Sequence, residues 1–298
     1  MTKARPNLFI IGAMKSGTTS LHVLLGQHPS IFMSEPKEPC YFVDADRLKQ
    51  AWPEMWQTGF WRSEDAYLRL FSSVKDERYV GESSTDYSKR QIFNGVPARI
   101  AKFNPNSRFI YIMRDPVERT ISHYWHMVKY REERRLILEA LRNEADYIYT
   151  SYYAYQLAPY IDLFGRKRLY SLTFEELKKD PVTATREIFG WLGVDADFAP
   201  VNALEARNAT PEEIRQVIGP RLLWRLRHSG LWDRVGNLCP KPLRELGVRM
   251  VQRKLRRSEV DVSEAENYLR PILTRQTEEL SAMLGREFKE WRRLYGTT

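Results

Sequence analysis

The stretch Gly12-Ala-Met-Lys-Ser-Gly-Thr-Thr-Ser20 sets Lys15 and the hydroxyls of Ser16, Thr18, Thr19 and Ser20 around Gly17, directly after an apolar run. Backbone N–H groups of such a turn, with the unpaired N–H groups and partial positive charge of a helix start, converge on one small volume and make it an anion site. Gly12 and Gly17 allow a tight turn and close approach of the backbone to a ligand. A loop that holds a nucleoside triphosphate reads G-x-x-x-x-G-K-[ST], with the lysine after the second glycine. Here Thr18 occupies that place, and the loop's lysine, Lys15, lies inside it. The spacing is that of a phosphate loop, built for a less charged terminal group than a triphosphate. The competing reading of Lys15 is a solvated loop lysine.

A second set follows an apolar β-type run: Arg114-Asp-Pro-Val-Glu-Arg-Thr-Ile-Ser122. A guanidinium at a strand end beside the loop can grip a phosphate with two bonds. Ser122, eight residues later, stands about two helical turns on and can add a hydroxyl donor. Arg114 could instead pair with Asp115 or with a carboxylate on the helix.

Taken together, Lys15-Ser-Gly-Thr-Thr-Ser-Leu and the Arg114–Ser122 stretch resemble the two donor-binding motifs of sulfotransferases that use 3′-phosphoadenosine 5′-phosphosulfate (PAPS). The first resembles that family's 5′-phosphosulfate loop, the second its 3′-phosphate strand and helix. Phe164-Gly-Arg-Lys-Arg-Leu, Phe174-Glu-Glu-Leu with Asp180-Pro, and Leu284-Gly-Arg-Glu-Phe-Lys-Glu-Trp291 extend the likeness, which is weakest over 199–260. It implies PAPS as donor, adenosine 3′,5′-bisphosphate (PAP) as product, no metal requirement, and Lys15, Ser16, Gly17, Thr18, Thr19, Ser20, Arg114 and Ser122 as donor-binding residues. The basic run Arg253-Lys254-Leu-Arg256-Arg257 falls where the family often closes a loop over the nucleotide, which adds Arg253 and Lys254 to the donor-binding candidates.

Sulfuryl transfer is an in-line displacement that needs positioning and charge stabilisation. Lys15 is the group to stabilise charge on the bridging oxygen. In Ser34-Glu-Pro-Lys-Glu-Pro-Cys-Tyr-Phe42, Glu38 matches by spacing the glutamate that serves the glycan-type members as general base, with Glu35 as its competitor. Pro39-Cys40 stand where the family often has His or Asn. Prolines on both sides of Lys37-Glu38 stiffen the segment and help to aim a carboxylate. His123, next to Ser122, is a second catalytic candidate. Glu82, Tyr41 and Phe42 are candidates for orienting or binding the acceptor; a buried, hydrogen-bonded acid is the other reading of Glu82. The aromatics Trp52, Trp56, Phe60 and Trp61 either wall a cleft or pack a helix.

These groups must be positioned by strands and helices in alternation. Short apolar runs predict strands at Leu8–Ile11, Ile31–Met33, Tyr79–Gly81, Phe109–Met113 and Leu169–Thr173, with helical patterns at 18–26, 65–71, 117–130, 155–163 and 182–192. Alternation argues for an α/β fold: a P-loop-like parallel sheet of about five strands flanked by helices. Beyond Asp195 the strand signals fade. Ser263 to Leu284 reads as a long helix opened by a Ser263/Glu266 capping box, and Phe288 and Trp291 suggest a last helix docked by its aromatic face. The expectation is a single domain over 1–298, with an α/β core over about 6–195 and a helical, basic part from about 196.

The bulk composition fits. A chain of 298 residues with 43% hydrophobic and 29% charged content can bury a large core. No run approaches the ~20 apolar residues of a membrane span. The apolar segment near the start runs straight into the loop, so it reads as a core strand and not a cleaved signal, which points to the cytoplasm or the inner membrane face. Cys40 and Cys239 then read as free thiols, a single disulfide being the alternative. The net charge of +9 is concentrated in Arg215–Arg257, where twelve Lys/Arg face two Asp/Glu, a local +10. Solvated helix faces or an acidic partner would each explain that block.

Three function classes remain. The first is sulfuryl transfer from PAPS to a hydroxyl or amine of a small-molecule, lipid or glycan acceptor. A P-loop kinase or NTPase is the second, opposed by Thr18. The third is a non-catalytic polyanion binder; no recognised nucleic-acid module accompanies the charge. Neither the acceptor nor the oligomeric state is legible.

Overall fold

The computed structural model describes residues 4–201, 211–217 and 252–296. Five strands, β1 (Leu8–Gly12), β2 (Ile31–Met33), β3 (Tyr79–Ser83), β4 (Arg108–Met113) and β5 (Leu169–Thr173), form one sheet in the order β2-β3-β1-β4-β5. All four pairings are parallel; Phe9 stands opposite Glu82 on one side and Phe109 on the other. The α/β expectation therefore holds, and β2 and β5 have the bounds read from the sequence.

Side-chain alternation divides the core between two faces. Phe9, Ile11, Phe109, Tyr111 and Met113 point to one side, where helices α6 (Pro116–Tyr130), α9 (Tyr153–Phe164) and α12 (Ser263–Leu284) pack. Leu8, Ile10, Ile110 and Ile112 point to the other, against α1 (Thr18–Leu25) and α11 (Pro181–Leu192) through Leu21, Leu24, Ile188 and Phe189. Buried on both faces, these strands need the near-continuous apolar runs by which the sequence betrays them.

The carboxyl-terminal part departs from expectation in three ways. A two-stranded antiparallel hairpin joins β6 (Glu213–Val217) to β7 (Gln252–Arg256), where no strand was expected. Ser263 does not cap α12: the N-cap is Val262, whose side chain caps nothing, and it is Asp261 Oδ1 that accepts from the Ser263 N–H at 2.9 Å. Glu266 instead pairs with Arg270 and Arg293. The reciprocal capping box lies at Thr173 and Glu176, opening α10 (Phe174–Lys179). Phe288 and Trp291 do dock, stacked with ring centroids 4.1 Å apart and fully buried. They do so from the turn before the short last helix, α13 (Arg292–Tyr295). Most of the basic block, with Cys239, lies outside the described residues. Among the described residues no helix is long and apolar enough to cross a membrane.

Candidate active site

In a parallel sheet, ligand-binding loops follow the carboxyl ends of the strands. Four such loops carry the chemistry here. The loop after β1 holds Lys15 in left-handed backbone, φ +70°, followed by Gly17 at φ +92°. A Cβ on Gly17 would come within 2.7 Å of Phe174, so packing and dihedral both demand glycine there. At Gly12 the neighbours are Ser88 and Tyr111, at 2.4 and 2.6 Å from a notional Cβ. Close packing of the strand end therefore requires glycine there.

The N-cap of α1 is Gly17, which has no side chain to cap the helix start. The Ser16 hydroxyl is buried with no hydrogen-bond partner among the described residues. Thr18 is buried, Thr19 and Ser20 half-buried. Lys15 is pushed down to about 8 by burial first, then by the nearby charges of Arg114, Arg257 and Lys129. Lys15 with Arg114 Nη1 at its carbonyl, the start of α1 and the orphaned Ser16 hydroxyl form a positive corner suited to a phosphorylated or sulfated ligand.

Arg114 leaves β4 and is braced. Its carbonyl accepts from the Tyr153 hydroxyl at 2.7 Å, and Glu118 Oε2 takes its Nη2 at 2.7 Å and its Nε at 3.2 Å. The helix carboxylate weighed from the sequence is thus present, yet Nη1 still faces the loop, 3.5 Å from the Lys15 carbonyl. Asp115 caps α6 by accepting from Val117 and Glu118 N–H. Ser122 is buried on the same helix.

On the other side, Glu38 sits at φ +61° and is sewn to the extension of β3. Its N–H donates to the Ser83 carbonyl at 2.9 Å, and its Oε2 accepts from the Thr85 N–H at 2.8 Å. Oε1 is paired with the Lys37 ammonium. Glu35 is exposed. Cys40, fully buried, donates its N–H to Ser84 Oγ, and burial pushes its thiol well up.

Glu82 proves to be the buried, fully bonded acid. Tyr67 and Tyr87 hydroxyls donate to Oε1 at 2.7 and 2.6 Å, and Ser84 Oγ donates to Oε2 at 2.7 Å. Burial nonetheless pushes its carboxyl up to about 7. It underlies the Glu38 loop without reaching solvent. Phe42 is likewise buried among Phe9, Tyr67, Tyr87 and Phe103, whereas Tyr41 is half-buried and stacked on Tyr67 at 4.3 Å. His123 is enclosed against Tyr147, its Nδ1 facing Arg119 Nη1 at 3.4 Å, and burial holds it well below its ordinary range. Its Nδ1 is thus the acceptor of that bond, and the ring stays neutral.

Two cations, Lys89 and Lys129, escaped the sequence reading of the site, and a third, Arg257, was read only as a member of the basic run 253–257. Lys89 is buried and bonded to Asp86 at 2.6 Å, with its ammonium 4.7 Å above the Trp52 ring. Burial first, then the charges of Lys15 and Lys89, depress His126, while burial raises Asp86 against the pull of Lys89, with Glu38 adding to the rise. Lys129, on the α6 segment that carries His126, acts on Lys15. Arg257, after β7, is the basic-run residue whose charge reaches Lys15 and Arg114, whereas Lys254 is exposed and Arg253 pairs with Gln216 in the hairpin. Its only signal in sequence was membership of the run 253–257.

Comparison with known proteins agrees with this geometry. The solved structure of a sulfotransferase from Alicyclobacillus acidocaldarius superposes with TM-score 0.69 at 27% identity, covering 97% of this chain and 99% of that one. Curated relatives include the membrane-associated sulfotransferase kil1 of Dictyostelium discoideum, 29% identical over 44% of this chain and 25% of its own length. The human bifunctional heparan sulfate N-deacetylase/N-sulfotransferase 3 is 26% identical over 63% of this chain and 22% of its own. The mouse heparan sulfate glucosamine 3-O-sulfotransferase 3A1 is 26% identical over 65% and 47%. The matches thus span about a fifth to a half of these relatives' lengths. A family model described as "Sulfotransferase family" matches residues 6–198, the sheet with the loops after β1 and β4 and the Glu38 segment, and the chain belongs to that family.

Proposed function

We propose that the protein transfers a sulfuryl group from PAPS to a hydroxyl or amine of a small-molecule, lipid or glycan acceptor. The observation that carries this reading is Lys15, with its neighbouring cations, at the start of α1 beside the unpartnered Ser16 hydroxyl. The residues fit the donor: Lys15, Ser16 and the N–H groups of Gly17–Thr19 for the phosphosulfate, Arg114 with Ser122 and Arg257 for the ribose phosphate. The donor supplies the sulfuryl group, whose sulfur exchanges its bond to the bridging phosphate oxygen for one to the acceptor.

The chain's own residues do the rest. The Lys15 ammonium stabilises the charge left on the bridging oxygen. Glu38, aimed by the Thr85 N–H and a proline-flanked backbone, takes the acceptor's proton. Glu82 supports that loop from beneath, and Tyr41 stands at its side. His123, neutral and enclosed, has a packing role in this scheme. Relatives named for heparan sulfate favour a saccharide acceptor, and the cytoplasm or its membrane face is the proposed place of action.

Calorimetry with PAP, and with AMP as comparison, tests the reading. Tight PAP binding that weakens at least about a hundredfold in Lys15→Ala, with no magnesium requirement, is expected. Glu38→Gln should keep PAP affinity within a few-fold while turnover falls about 10²–10⁴-fold. Equal affinity for AMP and PAP, or magnesium-dependent ATP turnover, would overturn the proposal.

A further inference from the structure

We propose a second ligand site at the opposite end of the sheet, for a ring-bearing oxyanion: a sulfate or phosphate monoester of a sugar or aryl ring. A cavity of about 550 Å³ opens at the amino ends of β4 and β5, lined by Arg108, Arg166, Lys167, Tyr170, Ser171 and Trp191. That volume is within the range of small-molecule sites. β4 runs six residues from Arg108 to the end that delivers Arg114, so the cavity and the donor loop are separated by roughly 16–20 Å of strand.

Charge and shape together specify the ligand. None of Arg108, Arg166 and Lys167 lies within ion-pair distance of a carboxylate among the described residues. The nearby acid, Glu187, accepts the Tyr170 hydroxyl at 3.0 Å. Arg108 is fixed rather than mobile: its Nη1 donates to the Trp191 carbonyl at 2.7 Å, and its guanidinium lies 5.0 Å over the indole. Trp191 is fixed in turn by its Nε1–H on the Lys167 carbonyl. Arg166 donates to the Leu169 carbonyl at 2.5 Å, which holds its remaining N–H groups at the rim, and Lys167 is exposed beside it. Tyr170 and Trp191, 5.5 Å apart and inclined at 46°, make an aromatic corner. Such a corner accepts the face of a ring, and two rim cations accept its ester oxyanion. Neutral rings leave the cations unmatched, and a bare ion leaves the aromatic corner wet.

The site is independent of the donor reading, and the test keeps the two apart. The indole N–H resonance of Trp191, assigned with Trp191→Phe, is followed as 4-nitrophenyl sulfate is added to protein with PAP present. Failure of PAP to bind would count against the donor assignment alone. A saturable shift is expected, absent with 4-nitrophenyl β-glucoside, at least about tenfold weaker with inorganic sulfate, and weakened at least about tenfold in Arg166→Glu/Lys167→Glu. Both substituted side chains are exposed, so the fold should survive; a spectrum otherwise superimposable on the parent's verifies it. No shift up to about 10 mM probe, equal shifts with the glucoside or bare sulfate, or an unaltered titration in the double variant would overturn the proposal.

Discussion

One oxygen of Glu118 holds two nitrogens of Arg114, Nη2 at 2.7 Å and Nε at 3.2 Å, and so turns the third toward the carbonyl of Lys15. Arg114 lies just before the helix N-cap and Glu118 in the first turn of α6, so the ion pair ties the strand end to the helix start. The carboxylate acts as a brace that leaves an edge of the guanidinium facing the loop. A lysine could keep the charge but not both the brace and the fork. Arg114→Lys should therefore weaken PAP binding at least about tenfold at unchanged net charge. An affinity within twofold of the parent would show that charge alone suffices.

Lys15 gives the donor site a pH dependence of known sign. Its pKa is lowered to about 8, so the free protein loses that ammonium as pH rises through 8, while a bound phosphate raises the value again. PAP affinity should fall between about pH 8 and 9.5, by up to about tenfold per unit, and binding there should take up protons. The ligand's phosphates, with second pKa values near 6, do not titrate in that window. Lys15→Arg should flatten the profile; a flat profile in the parent protein would refute the assignment.

Glu82 makes the fold itself sensitive to pH. Its carboxyl is raised to about 7 because burial outweighs three hydroxyl donors. The folded state then holds the proton more tightly than the unfolded one. Its contribution is fullest below the ordinary value of 4.5 and is lost as pH climbs through 7. Glu175, also raised to about 7 by burial, acts in the same direction. Glu82→Gln should gain on the parent by roughly 2–3 kcal/mol between pH 5 and 7.5, read as a growing difference in Tm. A constant difference across that range would remove Glu82 as a titrating group.

Helix starts offer a paired test. Thr173→Ala breaks a reciprocal cap and should cost about 1 kcal/mol in urea unfolding. Ser263→Ala removes a hydroxyl that caps nothing and should cost a few tenths at most. Equal costs would contradict the assigned helix ends.

What could be read in advance followed physical range. β2 and β5 were placed to the residue because an apolar run bounded by turn residues is a local signal. Lys15 and Arg114 stood out because the strands that launch them are equally local. The hairpin escaped notice because Glu-Ile-Arg-Gln-Val and Gln-Arg-Lys-Leu-Arg are charged segments that earn their pairing only across 34 intervening residues. Arg257 could be read only as one of the run 253–257, since nothing local separates it from Arg253. The misplaced cap at Ser263 was an error of one residue in frame, which is fatal to a motif defined by position. That Glu38 would be aimed by the N–H of Thr85, 47 residues on, was beyond any reading of spacing.

Asp115 accepts at one oxygen from the start of α6 and at the other, 2.9 Å away, from the N–H of Leu294. The residue after Arg114 is thus clasped by a segment nearly 180 positions downstream, on which the stacked Phe288 and Trp291 are seated. Proteolytic clipping behind Gly285, or a bulky fusion placed there, would release Asp115 from a distance and slacken the setting of Arg114 while leaving the loop that carries Lys15 in place.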